Sequence, residues 1–110
     1  MKLDEFEFGT KVFEEATRTT KLELLGKELK IVAYKEMKGQ DNNYLLIKAN
    51  DGDTVISFTG STVIDEKLRV VGKQKGSEDE EGVVSLSEPL ECSIVQEKSP
   101  TTKRTYFDLS

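Results

Sequence analysis

The clearest signal in the chain is a period of two over residues 28–37, where Leu29, Ile31 and Ala33 alternate with Lys30, Val32 and Tyr34. Side chains of an extended chain point alternately to opposite faces, so this pattern predicts a strand with one face on a core. Residues 38–43, Lys-Gly-Gln-Asp-Asn-Asn, have the chemistry of a loop. A second alternating run over 44–49 sets Leu45, Ile47 and Ala49 against Tyr44, Leu46 and Lys48. It ends at Asn50-Asp51-Gly52-Asp53. Asp-Gly between two alternating runs is a strong hairpin signal, because the turn needs residues that accept positive φ. Residues 54–59 are rich in β-branched side chains and give a third strand, with Ile56 and Phe58 on its core side.

Gly60-Ser61 breaks that strand. Val63, Ile64, Leu68 and Val71 then fall at helical spacing, and Ser61 suits an N-cap. Asp65 and Glu66 precede Lys67 and Arg69, the order a helix dipole favours. A helix over 62–71, closed by Gly72, is expected. Residues 73–87 are polar and read as a loop, with Val83-Val84 at most a brief strand. A fourth strand follows Pro89 over 90–97, with Cys92 and Ile94 inward; residues 98–102 make a hairpin loop. The last strand, 103–109, alternates Thr105, Phe107 and Leu109 with Arg104, Tyr106 and Asp108. Ahead of the first strand, the chain is read as extended up to Phe8 and helical across 11–17, with Thr10 as the cap. Phe6, Phe8 and Phe13 then pack this N-terminal extension, residues 1–22, onto the rest of the domain. The alternatives are an edge strand through Phe6 and Phe8, or a contact between two copies in a homo-oligomer.

Three meandering strands, a helix and a closing hairpin form the element order of an all-β fold, the five-stranded Greek-key barrel of the OB type. There the helix between the third and fourth strands plugs one end of the barrel. Small α+β sandwiches share the order. One domain then spans residues 1–110, with residues 76–88 as an acidic loop.

Three segments carry a resemblance: Leu24-Leu25-Gly26-Lys27-Glu28-Leu29-Lys30-Ile31, Phe58-Thr59-Gly60-Ser61-Thr62-Val63-Ile64, and Lys103-Arg104-Thr105-Tyr106-Phe107-Asp108-Leu109. Together they resemble small bacteriophage-encoded OB-fold proteins that bind single-stranded DNA. The resemblance covers residues 24–110. It implies single-stranded-DNA binding in phage replication or recombination, in the host cytoplasm and alongside other replication or recombination proteins. The N-terminal extension and the acidic insert depart from the pattern and leave room for another partner.

The chain has 110 residues and a net charge of −5. Glu78, Asp79, Glu80, Glu81, Glu88 and Glu91 lie in one stretch without Lys or Arg, and the remainder is close to neutral. Local fields decide where a polyanion sits, so the total neither supports nor excludes DNA. Residues 78–81 read as a solvated loop, or as a DNA mimic or recruiting element. Cys92 is the only cysteine, which excludes an internal disulfide and fits a reducing cytoplasm. Neither a signal peptide nor a membrane-spanning apolar run is evident, so no membrane is expected. Without histidine, a metal would need carboxylates, and Asp51 and Asp53 around Gly52 lack the other acids of a calcium loop. Cys92 has no histidine to activate it and reads as a small core residue. The expectation is a binding protein and not an enzyme, without metal or cofactor.

Single strands are gripped by aromatic rings that stack on bases and by cations along the phosphates. Alternation puts Lys30 and Tyr34, Tyr44 and Lys48, and Arg104 and Tyr106 on the outer sides of their strands. Each of the 3 tyrosines then has a Lys or Arg two or four residues away. These six residues are the candidate nucleic-acid-binding set. The competing reading makes them a solvated face with tyrosines packed on loops or on the N-terminal segment. The whole would then be a protein-interaction or structural module on the same barrel, such as a phage accessory or virion component.

Overall fold

A computed structural model describes residues 13–110. The extended piece ending at Phe8, with Phe6 and the Thr10 cap, lies outside the described residues. The elements are β1 (Thr17–Arg18), α1 (Lys21–Leu24), β2 (Glu28–Met37), β3 (Tyr44–Asp51), β4 (Thr54–Thr59), α2 (Thr62–Lys75), β5 (Gly76–Glu78), β6 (Val83–Lys98) and β7 (Thr105–Leu109). The structure is mostly strand, in a curled half-barrel sheet with one main helix. Its strand order is β1-β4-β3-β2-β6-β5, and β7 pairs with β6. No helix among the described residues is long and apolar enough to cross a membrane.

The meander forms where the alternation placed it. β2 pairs antiparallel with β3, and β3 with β4, the second hairpin turning through Gly52 at φ +62. Leu29, Ile31, Leu45, Ile47, Ala49, Ile56 and Phe58 fill the concave side of the sheet, and α2 closes it with Ile64 and Leu68. All but Ile56 and Leu29 in this set are fully shut off from solvent. Burying each large side chain contributes about 1.5–3 kcal/mol, so this layer carries most of the fold's stability.

Strand β2 departs from simple alternation at one residue. Its pairing shifts between Ile31 and Ala33 against both β3 and β6, which leaves Val32 as a bulge. One extra residue reverses the side-chain parity of everything after it. Tyr34, expected outward, is therefore turned into the core at 6% exposure, and Ala33, expected inward, joins Leu46 on the opposite face.

Helix α2 starts as expected, with Ser61 accepting a hydrogen bond from the Ile64 N–H at 3.3 Å. It continues one turn past the expected end, through Gly72 to Lys75. Gly72 does not cap the helix but admits a neighbour: a Cβ there would meet Cζ and Cε2 of Tyr34 at 2.8 and 3.0 Å. Beyond α2, the expected loop contains β5 and the start of β6, which pair as a hairpin. Its turn is organised by Asp79, whose Oδ1 accepts from the N–H groups of Glu81 (2.9 Å) and Val83 (3.0 Å). β6 pairs with β2 on either side of an unpaired stretch holding Pro89, where no ladder donor is needed. It then bends away to pair with β7, which begins at Thr105 and leaves Lys103 and Arg104 in the hairpin loop.

No ladder joins β4 to β7 among the described residues; α1 and the cap of α2 bridge them instead. Lys21 Nζ donates to the carbonyls of Thr59 (3.0 Å) and Gly60 (3.4 Å) and lies 5.6 Å from the centre of the Phe107 ring. Ser61 Oγ donates to the Phe107 carbonyl at 2.8 Å. Asp65 ties the same corner to β3, because its Oδ2 accepts from the Leu45 N–H at 3.1 Å. Asp65 is 4% exposed, and its Oδ1 has no hydrogen-bond partner among the described residues. Loss of solvent raises its carboxyl above the usual range, and the Leu45 bond and the Arg69 charge offset this only in part.

Gly72→Ala should destabilise the protein by about 1–3 kcal/mol in urea unfolding, the range for overpacking, despite alanine's better helix propensity. A neutral or stabilising result would mean that Tyr34 has room to move. For Asp65, the folded state keeps a proton that the unfolded chain releases, so its contribution is favourable at low pH and is lost as pH rises through the raised pKa. Asp65→Asn removes that titration while keeping an acceptor for Leu45. The variant's melting temperature should therefore gain on wild type between about pH 3 and about pH 7. A pH-independent difference would contradict the burial argument.

Candidate nucleic-acid interface

The structure divides the six expected residues into three groups. Tyr34 leaves the set, since the bulge buries it beneath α2. Lys30, Tyr44 and Lys48 lie on the convex face of β2 and β3. Alternation with the buried Leu29, Ile31, Leu45 and Ile47 puts them there, as expected. Arg104 and Tyr106 belong to the separate β6–β7 hairpin.

On the convex face the two lysines differ. Lys30 faces Glu91 of β6 at 3.9 Å, with both side chains largely in solvent, so the pair constrains it little. Lys48 is held on two sides. Its Nζ forms an ion pair with Glu15 and lies 5.8 Å from the centre of the Phe13 ring. The Lys48 ammonium holds the Glu15 carboxyl below the usual carboxylate range, chiefly through that hydrogen bond. Phe13 itself is buried against Ala33 and Leu46, with Ala16, Val32, Met37 and Val83 around them. The first described residues therefore cover the middle of the convex face. Sequence reasoning anticipated that Phe13 packs on the domain, but not that it packs on this face.

Tyr44 opens β3 opposite Met37, beside a recess of about 790 Å³ lined by Asp41, Asn42, Asn43, Gly60, Thr62 and Arg69, among others. Arg69 is engaged there, its Nε and Nη2 donating to Glu36 at 3.1 and 2.7 Å.

The hairpin between β6 and β7 carries Lys98, Lys103 and Arg104, all exposed, and none forms an ion pair among the described residues. Its tip is a tight turn in which the Ser99 N–H donates to the Arg104 carbonyl (2.8 Å) and the Lys103 N–H to the Ser99 carbonyl (2.9 Å). Tyr106 is half-buried at its base, opposite Glu97. Lys98 and Lys103 were absent from the expected set. The signal that could have included them is the basic sequence on both sides of Ser99-Pro100-Thr101-Thr102.

Cys92 is half-buried, and loss of solvent pushes its thiol up to about 11, which keeps it protonated at neutral pH. The described residues contain no group of three or more His, Cys, Asp or Glu side chains placed to hold a metal ion.

The Lys48–Glu15 pair is accessible to a direct measurement. Lys48→Gln should return the Glu15 carboxyl to the ordinary carboxylate range in an NMR titration, and an unmoved titration would mean that the pair does not persist in solution. Comparison with models of known families, with curated proteins and with solved structures finds no match for the chain.

Proposed function

We propose that the protein is a five-stranded OB-type barrel that binds single-stranded DNA without strong sequence preference. Its setting would be phage replication or recombination in the host cytoplasm. The observation that carries the reading is the β6–β7 hairpin, where Lys98, Lys103 and Arg104 are exposed without carboxylate partners among the described residues and Tyr106 sits at the base. In barrels of this type the loop between the last two strands and the face of the second and third strands take oligonucleotides. Here the β6–β7 hairpin would take the place of that loop. The second strand of the meander is β3, which carries Tyr44 and Lys48 on its convex face, and Lys30 lies beside them on the first, β2. Phosphates would be met by Lys103, Arg104 and Lys30, and bases by Tyr106 and Tyr44.

A second reading, a protein-interaction or structural module, is favoured by a different feature. Val70 is 55% exposed beside an apolar groove lined by Val71, Leu90, Cys92 and Leu109. An exposed apolar strip of this kind suits a protein contact better than a polyanion.

Fluorescence anisotropy of a labelled oligo-dT of ~30 nucleotides, long enough for any single-barrel site, separates the two. Binding should weaken with salt, and the double variant Lys103→Ala/Arg104→Ala should weaken it further. The slope of log affinity against log salt should fall by about 1.4, or about 0.7 for each phosphate that the variant no longer neutralises on a single strand. No binding at tens of micromolar protein in low salt would remove the DNA reading and leave the interaction module. An unchanged slope in the double variant would move the site away from the hairpin.

A further inference from the structure

The convex face of β2 and β3 is unusual for the solvent side of an antiparallel sheet. Such faces are normally polar, yet Ala33 and Leu46 make an apolar floor there, at 7% and 1% exposure, with Lys48 at its rim. Among the described residues, the turn at residues 13–16 lies over this floor, with Val32, Met37 and Val83 at its sides. The Phe13 ring lies on Ala33 and Leu46, and the Glu15 carboxylate pairs with Lys48. An aromatic ring on an apolar floor, next to an anion on a lysine, is also the arrangement a stacked base and its phosphate would make.

The attachment of this cover is shallow. Among the described residues the chain joins the sheet ladder from β1 onward, through Thr17 opposite Ile56 and Arg18 opposite Ser57, with the Thr19 N–H donating to the Ser57 carbonyl at 2.9 Å. Within residues 13–16 the backbone hydrogen bond is internal, from the Ala16 N–H to the Phe13 carbonyl at 3.0 Å. The Glu15 side chain is 57% exposed, and an ion pair so open to water holds weakly. Among the described residues, no ladder hydrogen bond ties residues 13–16 to the sheet, so their displacement leaves the ladder at β1 intact.

We infer that residues 13–16 act as an internal stand-in for a nucleotide, with Phe13 in the place of a base and Glu15 in the place of a phosphate. Single-stranded DNA then gains the Ala33–Leu46–Lys48 surface by displacing them. This rests on the proposed DNA-binding function and adds to it a self-covering site. The measured affinity is the intrinsic affinity reduced by the fraction of molecules in which the surface is open, so loosening the cover tightens binding.

The test uses the full chain, labelled oligo-dT and low salt. Phe13→Ala should tighten binding by about tenfold and Glu15→Gln by a smaller factor, both through a larger open fraction. Glu14→Gln removes the same charge from an exposed neighbour that does not touch Lys48, so it should leave affinity within about twofold of wild type. In hydrogen exchange on the wild-type protein, saturating oligo-dT should speed exchange at residues 13–16 while residues 45–49 stay protected. This second measurement decides the matter even if Phe13→Ala lowers the melting temperature. Wild-type binding with equal affinity in Glu15→Gln and Glu14→Gln, and with exchange at 13–16 unchanged or slowed, would overturn the inference and leave the DNA-binding reading standing. Absence of binding by wild type and every variant would remove both.

Discussion

Both faces of the central sheet depend on Val32, the residue that has no partner in either neighbouring strand. With simple alternation, Tyr34 would stand on the convex side and Ala33 would meet the helix. The bulge exchanges them. A ring is delivered to the concave side where α2 passes, and a methyl group to the convex side where Phe13 lies. Each exchange then requires a complement from elsewhere in the chain. The ring's Oη and edge leave no space for a side chain on the helix, so position 72 is glycine. The small Ala33 leaves a shallow floor beside Leu46, and the floor is large enough to bury an aromatic ring. A bulge is thus the device by which one strand serves a helix on one side and a covering segment on the other.

The second constraint is the corner between β4 and β7, where the sheet does not close on itself through backbone bonds among the described residues. Side chains perform the closure. Ser61 caps α2 and reaches the Phe107 carbonyl with the same oxygen, while Lys21 satisfies the carbonyls at the end of β4. Lys67 adds an ion pair to Asp108 at 2.6 Å and a bond to the Leu109 carbonyl at 3.4 Å. These contacts also cover backbone acceptors on the free edge of β7, an edge that would otherwise invite another strand. Asp65 is the costly member of the corner. One oxygen orients β3 against the helix, and the other is buried without a partner among the described residues, which burial alone tends to neutralise.

What could be read from the sequence follows from how local each determinant is. β3 and β4 were legible because their alternation runs without a break into an Asp-Gly turn. The start of α2 was legible because Ser61 and the spacing of Ile64 and Leu68 are local signals. The bulge was not, since Val32 is a β-branched residue that looks at home in a regular strand. With it went the sidedness of Tyr34. Gly72 carried a true signal with the wrong meaning: glycine marks a helix end or a close approach, and sequence does not say which. The Val83 end of β6 was hidden behind a charged run, whose acids sit on a hairpin turn and leave the strand pairing intact. On the candidate interface, Lys30, Tyr44 and Lys48 were placed on the correct side. The cover over Lys48 was not foreseen because Glu15 and Lys48 are far apart in the chain and share no local pattern.

The two parts of the proposed interface differ in range, and on the DNA-binding reading that difference would give the acidic chain a way to handle a polyanion. The hairpin cations are already in solvent, and their pull extends about a Debye length, roughly 8 Å at physiological salt. The convex floor would act only at contact, and only once the Phe13 ring had left it. On the proposed reading a strand would meet the hairpin first and exchange with the cover second. The exchange replaces one ring on Ala33 and Leu46 by another and one anion on Lys48 by another, so its net energy is small by construction. A site balanced in this way favours a ligand that offers many consecutive bases and phosphates. A single nucleotide could displace the cover only at a loss of what the cover already provides. On that reading, length discrimination would arise from the apolar floor and the hairpin cations acting together, without any residue that reads sequence.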